Sequence, residues 1–370
     1  MTSRRELTGN ILGPTGWVRG RLAFAERIEV VDGLPADPAS NDDPYVLPGF
    51  IDLHVHGGGG ADLMQGVDAA VTVTELHARH GTTALVATTV TSSAVDMEAV
   101  VGSLGRACAQ KPAGARLLGV HLEGPFISAG NLGAQPNHAR TATLEELEAL
   151  LRLAPVRILT LAPEVPGHLE IIGTLAQRGI RVQVGHTNGS YEDGVAALRH
   201  GASGFTHLFN AMTGLHHREP GVVGAALAHA EYAELIPDLL HVHAGGMRTA
   251  FRAIPRLFCV TDSTSAAGMP DGQYLLGPRT VVTKFGGSVR LPDGTLAGST
   301  LTMDRALRNL VSIGLSIEDA SHRLSRYPAE YLGLKDRGRI VPGAYADLVL
   351  LDRQLEIERV IGEGNSLWDR

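Results

Sequence analysis

His54 and His56 lie one residue apart in Pro48-Gly49-Phe50-Ile51-Asp52-Leu53-His54-Val55-His56-Gly57, at the end of an apolar run with the texture of a β-strand. Side chains at i and i+2 of a strand face the same way, so both imidazoles can turn toward one metal ion. Taken alone, the pair is equally compatible with two half-buried packing histidines, and its meaning depends on what other segments deliver to the same place. Further strand-like runs end in polar groups: His121-Leu122-Glu123-Gly124-Pro125, Gly185-His186-Thr187, Thr206-His207, His241-Val242-His243 and Thr261-Asp262. Imidazole and carboxylate donors with one coordination position left open suit Zn2+ or Fe2+ used as a hydrolytic Lewis acid.

Such groups need a scaffold that gathers strand ends. From Val46 onward, short apolar runs alternate with helix-like stretches; with the first run, residues 84–90, 117–123, 156–161, 180–185, 204–208, 239–242 and 257–261 make eight candidate strands. Residues 69–80, 144–153, 169–178 and 193–200 have helical apolar spacing and lengths suited to parallel crossovers. This alternation predicts an α/β fold, a (β/α)8 TIM-type barrel over 48–337, in which reactive groups sit at the C-terminal ends of the strands. Residues 1–47 and 338–370 change to turn-rich, alternating segments such as 346–351 and are expected to pair into a small β-sandwich domain. The Gly/Pro-punctuated stretch near 273–297, with 281–284 and 288–291 as its strands, reads as a β-hairpin insertion.

The totals exclude several function classes. Within 370 residues, 44% are apolar, enough for a large core, and the formal charge of -7 gives no general attraction to nucleic acid or an anionic membrane. Any anionic ligand must therefore be held locally. Residues 1–20 lack an apolar leader core and no segment sustains the roughly 18 apolar residues of a membrane span, so a cytoplasmic protein is expected. Cys108 and Cys259 are too few for a disulfide framework and read as buried thiols. The lysines are only Lys111, Lys284 and Lys335, and none falls on the fourth candidate strand.

The motifs at 48–57, 121–126 and 185–191, together with His207-Leu208-Phe209-Asn210-Ala211-Met212, His217-Arg218-Glu219-Pro220-Gly221, 260–272 and 296–300, resemble those of the amidohydrolase superfamily. Within it they are similar to the N-acetylglucosamine-6-phosphate deacetylase family, and they span nearly the whole barrel. Val260-Thr261-Asp262 followed by Ala266-Ala267-Gly268-Met269-Pro270-Asp271-Gly272 is the most specific part.

The resemblance implies that Glu123, His186 and His207 bind the principal divalent ion, Zn2+ or Fe2+. It implies that Asp262 is the general base and acid: metal-activated water attacks the acetyl carbonyl, Asp262 takes its proton, then protonates the departing amine. The alternative for Asp262 is a plain metal ligand or a helix N-cap before Ser263-Thr264. Asn210 and Ala211 match the family's phosphate-binding backbone. Arg218 matches the guanidinium that pairs with the sugar 6-phosphate, in the family from a neighbouring subunit, which implies a homodimer. Outside that motif a loop arginine is usually a solvated charge. His241 matches a contact near the scissile amide, and Ala134, Gln135 and Leu296 complete the expected substrate set.

Related hydrolases often bridge two metals with a carboxylated lysine on strand four, which this chain lacks; Glu123 bridging to a second ion on His54 and His56 is the version implied here. Many members carry Gly-x-His after the Glu-Gly-Pro motif, but this chain has Gly133-Ala134-Gln135, which cannot become cationic. The second ion is expected to take over polarisation of the acetyl group, with His138 a weaker substitute. The expected reaction converts N-acetylglucosamine 6-phosphate to glucosamine 6-phosphate and acetate. The alternatives are another N-acetyl amino sugar, a cyclic amide, or a catalytically dead scaffold. His121 is expected to orient a ligand; His77, His80, His168, His200, His229 and His322 read as surface or packing residues, and His216, His217 and His243 as pocket neighbours without a role.

Overall fold

A computed structural model describes residues 4–110 and 112–370. Its centre is a ring of parallel strands: Phe50–Val55, Thr82–Thr88, Arg116–Glu123, Val156–Leu161, Arg181–Val184, Gly204–Phe205, Glu234–Leu235 and Phe258–Cys259. The first six hydrogen-bond in chain order and the last two pair with each other. Leu208 N donates to Glu234 O at 2.8 Å and Asp262 N to His54 O at 2.9 Å, and these bonds close the ring. Strands covered on both faces are buried throughout rather than alternating, as in Thr82–Thr88, where every residue is buried.

The intervening helices carry their own start and stop signals. Leu144–Leu153 begins at Thr143, whose hydroxyl accepts from Glu146 N, and it buries Leu147 and Leu150. Tyr191–His200 opens on a Ser190/Asp193 capping box and stops at Gly201, whose φ of 109° a residue with a Cβ would resist.

The seventh strand is not the one expected at 239–242. Leu239 has a φ of 66°, and Asp238 Oδ1 accepts from both Leu240 N and His241 N at 2.9 Å, a tight turn that cannot join a ladder. The strand is Glu234–Leu235, two residues that pair with Phe258–Cys259 and precede Pro237. His241 and His243 consequently sit on the loop, with His243 capping helix Ala244–Ala253.

Both chain ends share one seven-stranded sheet, joined where Tyr45–Pro48 pairs antiparallel with Leu348–Leu351. Ile11, Leu22, Phe24, Val46, Leu348 and Ile361 pack in its own buried cluster. Arg337 pairs with Asp347 and Glu363, and Arg116 on the third barrel strand donates to the same Glu363 at 2.9 Å, tying sheet to barrel.

After the eighth strand comes a three-stranded antiparallel meander, Gly272–Leu276, Thr280–Phe285 and Ser288–Arg290, one strand more than a hairpin. Asp62 Oδ2 accepts from Gly277 N at 2.7 Å, and Leu276, Val282 and Val289 pack with Val90 and Ala297, which seats the meander beside the barrel mouth. No helix among the described residues is long and apolar enough to cross a membrane.

Candidate metal centre and active site

Glu123, the last residue of the third barrel strand, stands between two groups of imidazoles. Its Oε1 lies 3.1 Å from His186 Nε2 and 2.9 Å from His207 Nε2, which are 3.1 Å from each other. Its Oε2 lies 3.1 Å from His56 Nε2 and 3.5 Å from His54 Nε2. Asp262 Oδ1 faces the second group, 3.2 Å from His56 Nε2 and 3.5 Å from His54 Nε2. Thus the five expected metal ligands and the expected base meet in one place. His186, His207 and Asp262 follow short strands with φ of 48°, 29° and 50°. L-residues rarely adopt this left-handed backbone, and all three lie at the site, where strain of this kind tends to be retained because it aims side chains.

The donor set fits divalent cations. His186 Nδ1 donates to Asn131 O at 3.1 Å and His54 Nδ1 to Glu234 Oε2 at 3.0 Å, so in the neutral rings each Nε2 presents a lone pair. Among the described residues His56 and His207 have no partner at Nδ1, and their polar contacts at the ring nitrogens are within the cluster. Nitrogen lone pairs and carboxylate oxygens about 3 Å apart repel unless something positive lies between them, and metal–ligand bonds of about 2.1 Å give ligand edges of about that length.

The electrostatics agree. Burial opposes charge on His54, His56 and Glu123 alike, yet the two carboxylates hold His54 well above the usual imidazole range and His56 at about 9, while the imidazoles hold Glu123 well below the usual carboxylate range. Asp262 is likewise held down, against its burial, chiefly by His54 and His56. A pocket that attracts protons this strongly attracts a divalent cation for the same reason.

A cavity of about 260 Å³ opens over the cluster. Glu123, His186, His207, His56 and Asp262 form its floor, while Ala134, Gln135, Asn210, Ala211, His241 and Leu296 line its sides. His54 is fully buried behind them. His241 is held by Asp238, whose Oδ2 accepts from its Nδ1 at 2.7 Å; despite burial, this pair raises the imidazole above its ordinary range. Gln135 does not present its amide to the cavity alone. Its Nε2 donates to Glu123 Oε2 at 2.6 Å and its Oε1 accepts from Thr91 N at 2.7 Å.

Arg218 is the expected residue that the fold leaves outside: it is exposed, does not line the cavity, and its backbone N–H donates to His216 Nδ1 at 3.4 Å. His216, His217 and His138 are exposed too. His77 and His168 are buried and hydrogen-bonded, with His77 Nε2 3.1 Å from Gly57 O and His168 Nε2 accepting from Ala142 N at 2.9 Å. His121 packs edge-on against His54, ring centroids 4.8 Å apart. Lys284 donates to Ala266 O at 3.1 Å from the meander, and Lys111 lies outside the described residues.

Two buried carboxylates at the site escaped sequence reasoning. Glu234 accepts from His54 and, at 2.9 Å, from Gln183 Nε2. Asp52 accepts from Thr261 Oγ1 at 2.6 Å and is pushed up to about 7 by burial, so it fixes the residue before Asp262. An acidic residue inside an otherwise apolar run, as in Ala233-Glu234-Leu235-Ile236 and Phe50-Ile51-Asp52-Leu53, is the signal that could have found them.

The model of the amidohydrolase family matches residues 45–367. The chain is 37% identical to the N-acetylgalactosamine-6-phosphate deacetylase of Escherichia coli O157:H7, covering 96% of each chain. It is 39% identical to the N-acetylglucosamine-6-phosphate deacetylase of Vibrio furnissii, covering 91% of this chain and 85% of that one. In structure it is similar to an aspartate-to-alanine mutant of N-acetyl-D-glucosamine-6-phosphate deacetylase from Mycobacterium smegmatis in complex with N-acetyl-D-glucosamine-6-phosphate, with a TM-score of 0.90, 35% identity and 99% of both chains covered.

Proposed function

The chain belongs to the amidohydrolase family, and from that premise we propose that it is a metal-dependent hydrolase that removes the acetyl group of N-acetylglucosamine 6-phosphate. The observation that carries this reading is the meeting of Glu123, His186 and His207 with Asp262 on the floor of one cavity. Glu123, His186 and His207 would hold the principal ion, and His54 and His56 a second one with Glu123 between them; Zn2+ or Fe2+ suits both donor sets. When bound, the metal supplies Lewis acidity, lowering the pKa of water and polarising a carbonyl.

The protein's own part is proton handling and orientation. Asp262 Oδ1, at the cavity floor, accepts a proton from the water whose oxygen bonds to the acetyl carbon. It returns that proton to the sugar nitrogen as the carbon–nitrogen bond breaks, leaving acetate and the amine. Because its charge is stabilised by the neighbouring imidazoles, Asp262 is ionised and ready to accept near neutral pH. Asn210 and Ala211 on one wall, with Ala134, Gln135, His241 and Leu296, position the sugar phosphate.

Arg218, exposed in a single chain, would reach the phosphate of a neighbouring subunit's substrate, which makes the working unit a homodimer. The barrel of 48–337 would carry the chemistry and the sheet domain of 1–47 plus 338–370 would support it, in the cytoplasm. A second substrate, N-acetylgalactosamine 6-phosphate, is favoured by the 37% identity with the Escherichia coli relative.

Acetate release from both phosphorylated sugars and their unphosphorylated forms, with and without chelator, tests the reading. Expected are activity lost to the chelator and restored by Zn2+ or Fe2+, and strong preference for a 6-phosphate. In Arg218→Ala, KM for the preferred ester should rise about 10- to 100-fold, the worth of a charge-assisted contact. Equal turnover of the unphosphorylated sugars would end the phosphosugar assignment.

A further inference from the structure

Beneath the imidazoles a chain of buried polar groups crosses the barrel and ends at Glu234. Its Oε2 accepts from His54 Nδ1 at 3.0 Å, its Oε1 from Gln183 Nε2 at 2.9 Å, and its residue is fully buried. Gln183 Oε1 accepts from Thr206 Oγ1 at 2.8 Å, Thr206 Oγ1 lies 2.7 Å from Thr160 Oγ1, and that hydroxyl lies 2.7 Å from His121 Nε2. Glu234 does not line the cavity and therefore cannot touch substrate. Burying a carboxylate is costly unless each oxygen is matched, and each partner here belongs to the ligand cluster or to the chain under it.

We infer that Glu234 is the positioning residue of the second cation site: by accepting the Nδ1 proton of His54 it fixes the imidazole with the Nε2 lone pair aimed at His56, Glu123 and Asp262. This rests on the two-ion reading proposed above. The alternative tautomer has a strong pull of its own. Glu123 Oε2 and Asp262 Oδ1 both lie 3.5 Å from His54 Nε2. A proton placed on Nε2 would satisfy them and close the site to metal. An acceptor at Nδ1 tips the choice the other way, as carboxylates behind metal-binding histidines do generally. The contact with the other ion's ligands is weaker, a single backbone bond from His207 N to Glu234 Oε2 at 3.4 Å. Loss of the carboxylate should therefore act on one site and spare the other.

Geometry also predicts a graded pair of substitutions. Glu234→Gln can keep its carbonyl toward His54 if its NH2 turns to Gln183 and the Gln183 amide flips. Thr206 and Thr160 can then reverse their hydroxyls, ending on His121 Nε2 as acceptor. Glu234→Leu offers no acceptor at all.

The test is titration of the chelator-stripped, full-length chain with Zn2+ against a chromophoric competitor, counting sites and affinities in the wild type, Glu234→Gln, Glu234→Leu and His54→Ala. Two sites are expected in the wild type. In Glu234→Leu one should weaken about 10- to 100-fold while the other holds within about twofold. Glu234→Gln should recover most of the loss, and His54→Ala should remove that site. Wild-type affinities at both sites in Glu234→Leu would overturn the inference, as would equal weakening of both sites in the two Glu234 variants. A single site in the wild type, unchanged by His54→Ala, would instead sink the two-ion reading and this inference with it.

Discussion

Gln135 grips Glu123: its side-chain amide donates to Glu123 Oε2 at 2.6 Å, on the side of that carboxylate facing His54 and His56, while its carbonyl is held by Thr91 N at 2.7 Å. The loop that carries Gln135 is thereby pinned to the end of the second barrel strand. A group held at both ends in this way orients the Glu123 carboxylate while it lines the cavity. The clamp is neutral, an amide that cannot become cationic, on a carboxylate proposed to hold metal.

Gln135→Leu removes both bonds at once and leaves the Thr91 N–H without its acceptor. The expected outcome is a fall in kcat of about 10- to 100-fold with bound metal reduced, since one such buried bond to a charged group is worth about 1.5–3 kcal/mol. Steady-state kinetics beside elemental analysis would check it; a variant with wild-type kcat and full metal content would show that the clamp is idle.

His54→Ala should lose the second ion and slow turnover about tenfold or more, because polarisation of the acetyl group then falls to the remaining ion alone. Undiminished kcat in that variant rules the second ion out of the chemistry.

Asp262→Asn keeps the shape of the cavity floor but cannot accept a proton. A drop in kcat of about 10²- to 10⁴-fold is expected, with affinity for the phosphorylated sugar changed only a few-fold. Calorimetric binding and single-turnover acetate release separate the two quantities, and a kcat within tenfold of wild type would remove Asp262 from proton transfer.

Stability should depend on His77. Burial drives its pKa from 6.5 down to about 4, so the folded protein keeps it neutral while the unfolded chain takes up a proton below about 6.5. Between pH 6.5 and 4 the unfolded state binds more protons, and stability falls as pH falls through that window, by about 3 kcal/mol from this group. His77→Gln does not titrate. Its unfolding free energy, followed by urea denaturation from pH 7 to 4, should decline less steeply than the wild type's by that amount, and parallel curves would refute the assignment.

The sequence carried most of the site in one dimension. His54-Val55-His56, the Glu of His121-Leu122-Glu123, His186, His207 and Asp262 each end an apolar run, and in a closed parallel barrel the ends of runs are neighbours whatever their distance along the chain. The long strands, such as Thr82–Thr88 and Arg116–Glu123, were legible for the same reason, since many consecutive residues report one environment. What the tertiary structure decided is where the local signal was short or absent. Glu234–Leu235 is a strand only because ring closure supplies Phe258–Cys259 and Leu208 N as partners, whereas the more strand-like 239–242 is bent by Asp238. The buried roles of Glu234 and Asp52, and the hold of Gln135 on Glu123, come from residues far apart in sequence meeting on the barrel axis. Their residue types are common; their contacts depend on register and closure, which no local pattern encodes.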